Sequence, residues 1–160
     1  MKKTVFALIL AVFCACVFDA SAASKAKMKV TVTAVLVENC QVGNEWTVDC
    51  EINGQTLFDG QEMDTKVYNK NGYIKKPEKE KVIGEDTVRL GAGDELVIIT
   101  TVGEYDKDYP EDGTDTTVRT VSAAELRDGF AVEVDVTVIE NAGQYAGNKA
   151  TWRITYQFKP

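Results

Sequence analysis

The chain has 160 residues, with 25 carboxylate and 18 cationic side chains, a formal charge of −7 and no histidine. An acidic surface argues against binding nucleic acid or anionic membranes through bulk charge. Without histidine there is neither an imidazole base nor a histidine-held zinc.

Lys2 and Lys3 open the chain, and an uncharged apolar run follows from Val5 to Phe18. Ala20-Ser21-Ala22 then supplies the small-x-small pattern that signal peptidase accepts. The run is too short to span a bilayer, which needs about 20 apolar residues. The expected organisation is a signal peptide over 1–22, a short tail over 23–27 and one domain over 28–160, secreted or periplasmic after cleavage near Ala22. No later stretch is apolar enough to be a transmembrane segment. Losing Lys2, Lys3 and Asp19 moves the net charge to about −8. Cys14 and Cys16 leave with the leader, so Cys40 and Cys50 remain. An even pair in an oxidising compartment is expected to form one disulfide. Closing so short a loop would contribute roughly 2.5–3 kcal/mol.

Period-two alternation, the mark of half-buried strands, recurs along the mature chain. Met28 to Val37 sets Val30, Val32, Ala34 and Leu36 on one face. Trp46, Val48, Cys50 and Ile52 alternate with polar residues, and Asn53-Gly54 predicts a tight hairpin into Gln55–Phe58. A short strand is expected near Thr65–Tyr68. Residues 69–86, rich in Asn, Gly and Lys, predict a long exposed loop. Val88–Leu90, the turn Gly91–Asp94 and a buried strand over Glu95–Val102 follow. Gly103–Asp115 is expected as an acidic loop and Thr116–Val121 as a strand. Ser122-Ala123-Ala124-Glu125 predicts a capping box and Gly129 a stop, with one helical turn between. Phe130–Glu140 and Ala150–Phe158 alternate over their whole length, joined by the Gly-rich run Asn141–Asn148. Seven or eight strands with almost no helix predict an all-β antiparallel β-sandwich. A barrel is the alternative, and strands of unequal length favour the sandwich.

Few residues are placed for catalysis. No thiol is left over for a nucleophile, Ser24 lies in the expected tail, and Ser122 is explained as a helix cap. Gly91-Ala92-Gly93 lacks the helix and the Lys-Ser/Thr pair of a phosphate loop. The expectation is a non-enzymatic domain, with a carboxylate-based hydrolase as the rival. Within Glu104–Asp115, six of twelve positions are carboxylates against one lysine. Converging carboxylates repel, and calcium, which takes six to eight oxygen ligands, relieves that repulsion. Counting from Asp106 puts Pro110 and Glu111 where an EF-hand needs Asp or Asn and Gly. Two accounts stand: a calcium loop using Glu104, Asp106, Asp108, Asp112 and Asp115 with Glu45, or carboxylates splayed into water that keep a strand edge soluble.

Val102-Gly103-Glu104-Tyr105-Asp106, then Asp112-Gly113, then Val118 to Leu126, resembles the later half of C2 domains. That resemblance implies a C2-like sandwich (an immunoglobulin-like one is the other form), with Glu104, Asp106 and Asp112 as calcium ligands. The family's first loop carries an Asp-Pro-Tyr motif where this chain reads Asn44-Glu45-Trp46-Thr47-Val48, so Glu45 would have to substitute. The run Glu140–Asn148 also resembles one near the end of a class of small secreted bacterial proteins. Asn141, Gln144, Tyr145 and Asn148 there offer contacts to a glycan or protein partner, or serve the turn alone. The expected function is an exported, monomeric binding module for a protein or glycan surface, calcium-dependent through 104–115. The alternative is a calcium-independent cell-surface or inhibitor-like domain.

Overall fold

The computed structural model describes residues 24–40, 42–43, 45–64, 80–104 and 111–160. The expected leader and the strand expected at Thr65–Tyr68 lie outside these residues. The described strands are β1 (Ala26–Asn39), β2 (Glu45–Ile52), β3 (Gln55–Asp64), β4 (Lys81–Leu90), β5 (Glu95–Glu104), β6 (Glu111–Thr120), β7 (Phe130–Ile139) and β8 (Lys149–Lys159). A short helix, α1 (Ala123–Asp128), joins β6 to β7. The strands form two four-stranded sheets, ordered β4-β1-β8-β7 and β3-β2-β5-β6. Every described pairing is antiparallel. The molecule is therefore the β-sandwich that the alternation predicts.

The alternating residues make the core. Val30, Val32, Leu36, Val48, Ile98, Val102, Val134, Ile154, Tyr156 and Phe158 are all buried between the sheets. Each fully buried large apolar side chain contributes about 1.5–3 kcal/mol, and so many in register fix which face of each strand turns inward. Trp46 of β2 and Trp152 of β8 meet edge to face across the layers, with ring centroids 5.6 Å apart. Phe130 and Phe158 stack at 4.4 Å on one sheet. Arg119 lies 5.1 Å over the Phe130 ring and pairs with Glu125.

Strand β3 runs on past the expected Phe58 to Asp64, and two further strands occupy stretches expected as loops. Residues 81–86, expected within a loop, belong to β4, which pairs with β1 from Ala26↔Leu90 to Ala34↔Lys81. Likewise only 105–110 of the expected acidic loop separate β5 from β6, because β6 starts at Glu111 and pairs Glu104↔Glu111 through Glu95↔Thr120. Both are edge strands. An edge strand is held by one ladder and covers less core, so it carries little apolar alternation to read. The inward row of β6 is Gly113, Asp115, Thr117 and Arg119, polar apart from its glycine. At Gly113 an added Cβ would overlap the carbonyl oxygen of Thr137, so β6 and β7 approach backbone to backbone there.

The expected disulfide is absent: Cys40 and Cys50 are free thiols. The Cys40 N–H donates to Lys149 O at the start of β8, whereas Cys50 contacts Tyr156 seven positions further along it. At about 3.3 Å per strand residue that is roughly 23 Å, and a disulfide needs Cα atoms within about 7 Å. The two cysteines sit at opposite levels of the sandwich because β2 runs away from the β1–β2 turn.

Candidate functional site

The sequence-predicted acidic site falls at the end of the sandwich where β1 turns into β2 and β5 approaches β6. Glu104 ends β5 on its inward row, opposite Trp46, and is 6% exposed. Its carboxylate fills the space above Gly43, which has φ +139° and where a Cβ would overlap the Glu104 side chain. Asn39, also buried, shapes that turn: its Nδ2 donates to Gly43 O at 3.0 Å and its Oδ1 accepts from Val42 N–H at 2.9 Å.

Strand parity separates the remaining candidates. Asp112 pairs with Gly103, the neighbour of Glu104, and is exposed on the outer face. Successive side chains point to opposite faces of a strand, so Glu104 and Asp112 are directed away from each other. Asp115 shares the inward face but stands opposite Thr100, four positions down β5, and its carboxylate lies 3.4 Å from the Thr117 hydroxyl. Glu45 is exposed at the start of β2, on the face away from Trp46. Asp106 and Asp108 lie outside the described residues. Among the described residues, no three acidic or thiol groups converge to hold a metal ion.

The nucleophile candidates are otherwise engaged. Burial pushes the Cys50 thiol up to about 11, and Tyr156 is raised by the same desolvation and by Cys50 beside it. The Tyr156 hydroxyl lies 2.7 Å from Thr100 Oγ1, so Cys50, Tyr156 and Thr100 form a polar chain inside the core. The Cys40 thiol is also raised, by desolvation and then by Glu38. Ser122 caps α1: its Oγ accepts from Glu125 N–H while Glu125 Oε2 accepts from Ser122 N–H at 2.8 Å. That backbone donor, followed by the Ser122 hydroxyl and Arg119, holds the Glu125 carboxyl below its usual range.

The Gly-rich connection between β7 and β8 is built by its own backbone. Glu140 N–H donates to Asn148 O, Gly147 N–H to Glu140 O and Asn148 N–H to Tyr145 O. Gly143 and Gly147 take φ +76° and +91°, left-handed turn positions that glycine adopts without strain. Tyr145 stands 41% exposed on this turn.

Sequence reasoning missed a cleft at the far end of the molecule. Its volume is about 330 Å³, and it lies between β4, the start of β1 and the Asn53-Gly54 hairpin. Lys25, Lys27, Asn53, Gln55, Thr87 and Arg89 supply its polar walls, and no carboxylate lines it. Lys27 stands directly opposite Arg89, and Lys29 opposite Lys159. Lys25 pairs with Asp94 at 3.2 Å and Lys29 with Glu85 at 2.7 Å. The signal available beforehand was the outward Lys27 and Lys29 alternating with Met28 and Val30; Arg89 lies sixty positions away and joins them only through the β1–β4 ladder.

No protein-family profile matches the sequence, and no curated protein is significantly similar to it. Among solved structures it is similar to a C2 domain of a plant extended synaptotagmin 1, at 12% identity and TM-score 0.39, over 86% of this chain and 98% of that one. It is also similar to human GIVD cytosolic phospholipase A2, at 10% identity and TM-score 0.36, over 86% of this chain and 17% of that one.

Proposed function

We propose that the chain is an exported, non-enzymatic binding module that works through a preformed surface and needs no calcium. Export is supported by the basic start, the apolar run and Ala20-Ser21-Ala22. The non-enzymatic reading is supported by Cys50 being sealed in the core and Ser122 serving as a cap.

The observation that carries the calcium-independent form is the β5–β6 register. Continuing both strands to Glu104 and Glu111 turns Asp112 outward and leaves Glu104 inward, dividing the ligand set that the C2 resemblance implies. Calcium dependence is the alternative, resting on Glu104 together with Asp106 and Asp108. Thermal melting with millimolar calcium and with chelator separates the two, and superimposed curves are expected. Binding to the native state alone would add about 1.4 kcal/mol at ten times the dissociation constant. A rise in melting temperature that disappears in Asp106→Asn would return the calcium-dependent reading.

A further inference from the structure

The basic cleft is out of character for this chain. Carboxylates outnumber cations 25 to 18 overall, yet three cations and no carboxylate line the cleft. Lys27 and Arg89 face each other across the β1–β4 ladder, and neither has an ion-pair partner among the described residues. Like charges directly opposite on neighbouring strands destabilise a sheet. Lys29 and Lys159 also stand opposite each other and extend the row onto β8, with Lys29 already paired with Glu85 at 2.7 Å. The backbone positions that carry this row are about 5 Å apart across strands and about 7 Å apart along them.

We propose that this cleft and the row beside it bind a linear, carboxylate-bearing polysaccharide, an inference that rests on the binding-module reading and names its partner. The Arg89 guanidinium suits a carboxylate through two parallel N–H···O bonds, and the lysines act as point charges beside it. The Thr87 hydroxyl and the Gln55 side-chain oxygen supply groups of the kind that sugar hydroxyls pair with, while the Asn53 amide and the Gln55 amide nitrogen hold the wall together through Glu95 O, Val97 N–H, Asp86 and Thr87 O. Charge complementarity selects an anion, and the shape of the field selects a thin one. An extended anionic plane such as a membrane meets the acidic remainder of the protein together with the cleft. A single polymer strand feels mainly what lies within a Debye length of about 10 Å. The exposed large hydrophobics among the described residues are Val82, Val118, Ile139 and Tyr145, and none lines the cleft. It therefore offers no wedge for lipid and no ring for stacking a base.

The test is titration of the purified native protein with polygalacturonate, with neutral dextran, anionic phosphatidylglycerol vesicles and duplex DNA as parallel arms. Saturable binding to polygalacturonate alone is expected, weakening roughly tenfold between 50 and 200 mM salt. Lys27→Glu with Arg89→Glu should lower affinity at least tenfold while the melting temperature holds. Lys149→Glu, at the opposite end of the same sheet, should leave affinity unchanged. Should the double variant unfold, Lys27→Gln with Arg89→Gln carries the comparison, with a smaller loss. Equal losses in the Lys149 variant, no effect of salt, or tighter binding to vesicles or DNA would each overturn the proposal. Shortening of the polymer during the titration would instead defeat the non-enzymatic reading while leaving the cleft as the binding site.

Discussion

The two ends of the sandwich are built by different means. At the α1 end, polar side chains close the turns. Asn53 donates from Nδ2 to Glu95 O and accepts from Val97 N–H, Asp94 accepts from Gly91 N–H, and Ser122 with Glu125 forms the capping box. At the opposite end, beside the Asn39 bonds to Gly43 O and Val42 N–H, two close approaches depend on missing side chains: Gly43 makes room for the Glu104 carboxylate and Gly113 lets β6 approach the Thr137 carbonyl. The α1 end should respond to lost donors, lost acceptors and protons, and to bulk only at Gly129, where a Cβ would meet the Phe158 carbonyl. The glycine-built end should respond to a single added carbon. The basic cleft belongs to the first kind and the expected calcium loop to the second, so the two candidate sites rest on different supports.

The largest effect is expected where bulk meets backbone. Gly113→Val should cost about 3 kcal/mol or more in a urea titration, since Thr137 O cannot swing away as a flexible side chain would. A loss below about 0.5 kcal/mol would mean that the β6–β7 seam is looser than the comparison holds. Next comes Asn53→Ala, expected to cost about 2 kcal/mol. It removes two side-chain hydrogen bonds and puts a residue with no local side-chain bond at φ +50°. A full-sized effect would confirm that polar closure stabilises the α1 end.

The smallest effect is one of pH. Glu125 is held below its ordinary value by the Ser122 N–H, and Asp94 by the Gly91 N–H and then Lys25. A depressed folded-state pKa contributes stability that is complete above the unfolded value and is lost as pH falls through the folded one. Melting temperature should therefore drop from about pH 5 downward, and Glu125→Gln should make that drop shallower. An unchanged acid profile in the variant would remove the proton-sensitive half of the comparison.

What could be read in advance follows from how much each residue's role depends on distant partners. The β7 and β8 strands announce themselves because Val132, Val134 and Val136 face Tyr156, Ile154 and Trp152 across one ladder, each with a polar neighbour outside. The Asn53-Gly54 turn and the Ser122 capping box are local chemistry and were equally legible. Strand β6 was partly hidden, because Asp115 and Arg119 point inward at an edge where there is little core to cover. The acidic cluster suffered most. Whether Glu104 and Asp112 converge depends on where the ladder ends, and a few extra rungs put them on opposite faces. The cysteines misled for a related reason: ten positions apart in sequence, they are carried to opposite levels by a strand that runs away from its turn.

The chain of Thr100, Tyr156 and Cys50 has a consequence for how the layers align. Two greasy faces can slip past each other at little cost, because dispersion and burial have no direction. A short hydroxyl contact reaching from β8 to β5, with the thiol of β2 alongside, acts as a dowel and holds only at one offset. The fold thereby fixes how the opposing sheets slide relative to each other without a covalent staple, and the loops at both rims inherit that alignment.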